Sequence, residues 1–115
     1  MQTRRVILVH DSRLLRDLLK HTIEKFGGVE VVRAAADLHN VSSLIRETDA
    51  GWLFVALPPG DKLPETLKMG LFLKHPALRI ISLWDNGSHA KIEWLGRHDI
   101  DMVRPTLKEL KTLLR

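Results

Sequence analysis

Short, uniformly apolar runs separated by amphipathic stretches constrain this chain more than any other feature of its sequence. Val6-Ile7-Leu8-Val9 and Trp52-Leu53-Phe54-Val55-Ala56-Leu57 carry no polar residue that could face water. Runs this short and this apolar suit strands buried on both faces, the condition of a parallel sheet covered by helices. Val29-Glu30-Val31-Val32, Arg79-Ile80-Ile81-Ser82-Leu83 and Ile100-Asp101-Met102-Val103 supply three further strands. The uniformly apolar third run is expected at the centre of the sheet.

The intervening segments read as helices. His10-Asp11-Ser12 offers side-chain caps for the first, in which Leu14, Leu15, Leu18, Leu19, Ile23 and Phe26 share a stripe and Gly27-Gly28 provides the stop. Asp37 or Asn40 can cap a second helix that buries Val41, Leu44 and Ile45. Pro58-Pro59-Gly60 breaks the third strand, and Pro64 suits the first turn of a third helix carrying Leu67 and Leu71. His75-Pro76 ends that helix, because the residue before proline avoids helical angles. A fourth helix is expected near Ala90 to Leu95, after an Asp85-Asn86-Gly87-Ser88 loop. Thr106 and Glu109 form a capping box for a fifth, with Leu107, Leu110, Leu113 and Leu114 as its apolar stripe. Five strands interleaved with five helices imply one domain over 1–115, a parallel sheet with right-handed crossovers and helices on both faces.

Composition excludes several classes. A chain of 115 residues with 44% hydrophobic and 28% charged residues is ordinary globular material, not a disordered segment. With no cysteine, disulfides and thiolate metal sites are ruled out. The apolar stretch after the basic Arg4-Arg5 is too short for a secretory signal, and no run reaches the ~20 residues of a bilayer span. The expected compartment is the cytoplasm, with no membrane partner. Net charge is +4, but the basic residues are dispersed, so nucleic-acid binding is only an alternative reading. The last helix is short and ends at Arg115; the chain is read either as cut before an output domain or as a short protein.

In an open parallel sheet, functional groups gather beyond the C-terminal ends of the strands. Those positions are His10-Asp11, Ala56 to Gly60, Trp84-Asp85 and Arg104-Pro105. They carry a family resemblance. Val9-His10-Asp11-Ser12 resembles the hydrophobic-Asp-Asp stretch that closes the first strand of bacterial response-regulator receiver domains. Phe54-Val55-Ala56-Leu57 before a proline resembles the strand that presents their phosphoacceptor aspartate. His75-Pro76-Ala77-Leu78-Arg79-Ile80-Ile81-Ser82-Leu83 is similar to the region leading to their conserved Thr or Ser, and Val103-Arg104-Pro105 to their Lys-Pro pair, cis in that family. The resemblance spans essentially the whole chain. It implies a flavodoxin-like, receiver-type three-layer sandwich with a five-stranded parallel sheet.

The departures are as informative as the matches. By the resemblance, the acceptor aspartate falls at Ala56, whose methyl group has no nucleophilic lone pair. The first acidic position is His10, leaving Asp11 alone, and one carboxylate will not hold magnesium usefully. The Thr/Ser position is Trp84, with Ser82 two residues away, and the Lys position is Arg104, which keeps the charge as a planar fork. Four of the five key positions are therefore replaced. The resemblance implies a pseudo-receiver with a vestigial pocket at His10, Asp11, Ala56, Trp84, Arg104 and Pro105. No cofactor or metal is expected.

Asp11 and Arg104 are expected at the same end of the sheet, where the alternatives are a direct ion pair and two groups facing water. His10 has no second histidine or cysteine in its motif, so a hydrogen-bonded role is expected. Trp84 either plugs the vacated pocket or stands on the loop as a contact. Ser42-Ser43 and Ser82 have no recognisable base partner in the sequence, and no glycine-rich phosphate loop is present. Catalysis is not expected.

In the family, the face of the fourth helix, fifth strand and fifth helix often mediates dimerisation and output contacts. Here Trp94, Lys91, Arg97, Lys108 and Lys111 would decorate it. Trp94 is turned outward if Ile92 and Leu95 face the sheet, and buried if Ala90 does. The expected function is a non-enzymatic signalling module working through a protein partner, an attached output domain or a homodimer. The alternatives are a phosphoryl-accepting receiver using Asp61 or Asp85, and a basic nucleic-acid-binding module.

Overall fold

The computed structural model describes residues 4–25, 27–58, 60–84, 89–94 and 98–103; for 89 and 98–103 it describes the backbone only. Its elements are β1 (Arg4–Val9), α1 (Arg13–Glu24), β2 (Val29–Ala35), α2 (Val41–Thr48), β3 (Trp52–Leu57), α3 (Glu65–Lys74), β4 (Arg79–Trp84), β5 (His89–Trp94) and β6 (His98–Val103). One sheet contains all six strands in the order β2-β1-β3-β4-β5-β6.

The first four strands are mutually parallel, with β1 and β3 adjacent at the centre. Because successive side chains point to opposite faces, each central strand feeds two cores. Ile7, Val9, Leu53, Val55 and Ile80 meet Val41, Ile45, Leu71 and Phe72 of α2 and α3 on one face. Val6, Leu8, Phe54 and Ile81 lie on the other, with Ile23 and the half-buried Leu19 of α1. The result is the helix–sheet–helix sandwich expected from sequence, with β3 central.

Local chemistry explains where the helices begin and end. Ser12 is the N-cap of α1, its hydroxyl accepting from the Leu15 N–H at 3.4 Å. Gly27 and Gly28 then take φ values of 78° and 72°, a region that a side chain would disfavour. Pro64 stands immediately before the first residue of α3, and His75 closes that helix by donating its N–H to the Leu71 carbonyl. Of the stripe expected on α1, Ile23 is buried and Leu15 and Leu19 half-buried, whereas Leu14 and Leu18 are exposed. The stripe is wider than the single sheet face it packs on. Phe26 lies outside the described residues.

The main correction concerns 89–94. In place of the expected fourth helix, β5 runs antiparallel to β4 and then pairs antiparallel with β6, so the sheet gains a strand and is not wholly parallel. The physical reason is legible in the side chains. Ala90, Ile92 and Trp94 alternate with Lys91 and Glu93, a period of two. Ala90 and Ile92 are buried and Trp94 packs against the same core as α1. Arg79 lies over both Trp52 and Trp94, its guanidinium carbon 5.2 and 5.7 Å from the ring centroids, which fastens one end of the hairpin.

Glu93, on the opposite face, fastens it to α3. Lys68 is 9% exposed, and its ammonium sits 3.0 Å from Glu93 and 2.9 Å from Glu65. Burial works to lower the Lys68 pKa, but hydrogen bonds and charge from Glu65 and Glu93 outweigh it and hold the pKa above its ordinary 10.5. A pKa raised by folding gives stabilisation that is complete below the unfolded value and lost as pH rises through the folded one. Wild-type protein is therefore expected to lose stability above pH 10.5 more steeply than Lys68→Met, as chemical denaturation across that range would record.

The expected fifth helix over Thr106 to Leu114, with its capping box, lies outside the described residues. None of the helices described is long and apolar enough to cross a membrane.

Candidate functional site

The strand register assembles the C-terminal edge of the sheet. Val9 is level with Val55, so the next residues along, His10 and Ala56, follow on adjacent strands. Across β4, Ala56 is opposite Leu83 and Leu57 opposite Trp84. Three of the positions singled out from sequence thus come together: His10, Ala56 and Trp84. Asp11 follows His10 on the loop to α1 and is fully solvated, with 87% of its side chain exposed.

His10 is held by its own backbone neighbourhood. Its N–H extends the β1–β2 ladder to the Ala35 carbonyl at 3.0 Å, and its carbonyl accepts from Arg16 Nη1 at 2.7 Å. The ring Nδ1 accepts from the Ser12 N–H at 2.9 Å and also lies 3.1 Å from Asp11 Oδ1. These two contacts are alternatives. A nitrogen whose lone pair accepts from Ser12 carries no proton to donate to Asp11. Through the Ser12 bond His10 serves the entry to α1, next to the Ser12 cap.

Ala56 presents a half-buried methyl group at the centre of this edge. Trp84 is half-buried, and its indole N–H donates to the Asp61 carbonyl, tying the end of β4 to the loop between β3 and α3. That loop turns through Gly60 at φ 84°, with Asp61 N–H donating to the Pro58 carbonyl at 3.1 Å and Leu63 anchored in the core. Across the strands Trp84 is level with Leu57, so its indole lies toward the face of α3. Ser82 is 2% exposed and opposite Val55, one strand position further into the sheet.

The donor set does not suit a divalent metal. Magnesium requires several hard oxygens in near-octahedral array. Among the described residues no three His, Cys, Asp or Glu side chains gather in a metal-binding group. Among the described residues at this edge, Asp11 is a solvated carboxylate and the His10 imidazole accepts from the backbone.

Several expectations fall outside this picture. Arg104, Pro105, Arg97, Lys108 and Lys111 lie outside the described residues, and with them the Asp11–Arg104 pair. Lys91 and Trp94, expected on a helical interaction face, are half-buried on opposite faces of β5. Ser42 does have a base partner: its Oγ is 3.1 Å from His75 Nε2, a bond joining the first turn of α2 to the end of α3. Thirty-three residues separate the two, so no local pattern could have announced the contact. Arg16 is a second residue without a sequence signature, reaching back six positions to the His10 carbonyl.

Comparison with known proteins places this geometry. No family model matches the sequence. A protein-glutamate methylesterase/protein-glutamine glutaminase from Ralstonia nicotianae is 33% identical over 100 residues, covering 85% of this chain and 26% of that protein. A two-component response regulator of the LuxR family from Aurantimonas sp. has 28% identity and a TM-score of 0.60, over 72% of this chain and 59% of that one. RcsB from Salmonella enterica serovar Typhimurium, bound to promoter rprA in the presence of phosphomimetic BeF3-, has 27% identity and a TM-score of 0.60. That match covers 72% of this chain and 43% of RcsB. The isolated REC domain of RcsB matches over 72% of this chain and 62% of that one, with 27% identity and a TM-score of 0.53. The chain thus spans about a quarter of its curated relative and 43–62% of these solved chains. The similar structures are response regulators and a receiver domain, and the fold is the flavodoxin-like receiver type.

Proposed function

We propose that this chain is a receiver-type module of a two-component regulator that signals through protein contacts, without accepting a phosphoryl group on aspartate. Response-regulator likeness supports the signalling role. One observation carries the rest: Ala56, next to His10 across the two central strands, occupies the position where the receiver resemblance calls for the acceptor. An aliphatic methyl group cannot attack phosphorus. The solvated Asp11 and the Ser12-bound His10 are poor substitutes for an acidic metal site. The module is non-enzymatic, needs no cofactor, and acts in the cytoplasm on a protein partner or an attached output domain. RcsB is bound to a promoter in its structure; any nucleic-acid contact here would run through an attached output domain.

Intact mass spectrometry after incubation with magnesium and a small phosphodonor is the test. The expected result is an unchanged mass. A gain of one phosphoryl group mapped to Asp61 or Asp85 would instead establish a receiver with a displaced acceptor. Amide spectra with magnesium and beryllofluoride provide a second reading, with the Asp11 and Ala56 resonances expected to stay in place.

A further inference from the structure

At the end where the parallel strands begin, opposite His10 and Ala56, charge is divided unevenly between the two faces of the sheet. Arg4 precedes Val6 by two residues and so belongs to the α1 face, and Arg79 is level with Trp52 of the same face. The Arg4 N–H donates to the Gly28 carbonyl at 2.7 Å, which brings the turn after α1, and with it Lys25, to this end. All three cations are exposed, and none makes an ion pair among the described residues. The nearby Glu24 carboxylate is half-buried and already accepts from the Val31 N–H at 3.2 Å. On the opposite face the charges balance, Arg5, Arg46 and Lys74 standing with Glu30, Glu47 and Asp49.

The dipole of α1 accounts for a cation at Lys25. It does not account for Arg79, which lies two strands beyond Arg4, about 10 Å across the sheet. Arg79 is held in place, its guanidinium carbon 5.2 Å from the Trp52 ring centroid and 5.7 Å from that of Trp94. A guanidinium laid over indoles still offers its N–H edges to a bidentate partner, and gives up little side-chain freedom when one arrives.

We propose that this end of the α1 face docks an acidic segment of a partner protein, Arg79 and Arg4 pairing with its carboxylates and Lys25 adding charge. Arginines on strands about 10 Å apart suit carboxylates spaced along a peptide better than one small anion. Three cations neutralise too few phosphates to hold nucleic acid at physiological salt. This inference rests on the proposed function only in taking the partner to be a protein.

Fluorescence anisotropy of a fluorescein-labelled oligoglutamate peptide, titrated with the full chain at low salt, is the test. Binding is expected, and Arg79→Gln and Arg4→Gln should each weaken it about fivefold or more. Arg46→Gln removes the same net charge from the opposite face and should change affinity by less than about twofold. Arg4 is exposed and outside both cores, so its variant carries the test even where loss of Arg79 loosens the β5–β6 hairpin. No binding at millimolar protein overturns the proposal. Equal weakening by all three variants overturns it too, since the peptide would then respond to net charge alone. A labelled DNA duplex bound more tightly than the peptide also overturns it and assigns the surface to nucleic acid. None of these outcomes alters the mass-spectrometric test for an acceptor, so failure here is distinct from failure of the proposed function.

Discussion

Replacing Phe54 by alanine is expected to lower unfolding free energy by about 3–5 kcal/mol. Phe54 is 2% exposed on the central strand β3, among Val6, Leu8, Ile81 and Ile92 on the α1 face. Its neighbours are anchored in three strands and cannot collapse into the space a ring leaves behind. The loss therefore combines the transfer term with a cavity term. A domain of this size has on the order of 5–15 kcal/mol in total, so the variant would retain roughly half of it. Urea denaturation measures the change directly. A loss below about 1 kcal/mol would mean that the two-faced sheet packs differently from the arrangement described.

The second large effect is expected at Lys68. Its side chain is 11% exposed and that of Glu93 14%, so the pair is substantially withdrawn from water, while Glu65 is solvated and contributes little. Lys68→Ala leaves Glu93 without its cation between α3 and β5, at an expected cost of about 3 kcal/mol. Glu93→Ala strands the ammonium in the same way. Removing both partners by Lys68→Ala with Glu93→Ala is expected to cost much less than the two single changes added together. The reason is that most of each single loss is the penalty of an uncompensated charge. A double-mutant cycle reads this as a favourable coupling above about 1 kcal/mol. Additive losses would mean that the two groups act independently and that the β5–β6 hairpin is held by Ala90, Ile92 and the Arg79–tryptophan contacts alone.

The hairpin also shows how a short sequence signal can be passed over. His89 to Trp94 alternates polar and apolar residues as a strand should, although Ala90 to Leu95 reads as a helix in a chain of alternating strands and helices. The helical reading of Ala90 to Leu95 could not place Trp94, whereas the strand places it with Ala90 and Ile92 against one core. Conversely, the wide leucine stripe of α1 reads from sequence as a single buried face. Only packing shows that Leu14 and Leu18 stay outside while Leu15, Leu19 and Ile23 turn inward.

By itself, the sequence determined the elements whose signal is local. Uniform apolar runs marked β1 and β3, Ser12 marked the start of α1, and Gly27-Gly28 and His75-Pro76 marked the ends of α1 and α3. Tertiary structure alone decided what depends on residues far apart in the chain: the antiparallel turn back of β5 onto β4, the Lys68–Glu93 pair, the Ser42–His75 bond and the Trp84 tie to Asp61. Local propensity acts over one or two turns of chain, but burial and charge pairing are set by whichever surfaces the fold brings together. A side chain's chemistry can therefore be read before folding, and its partner only afterwards.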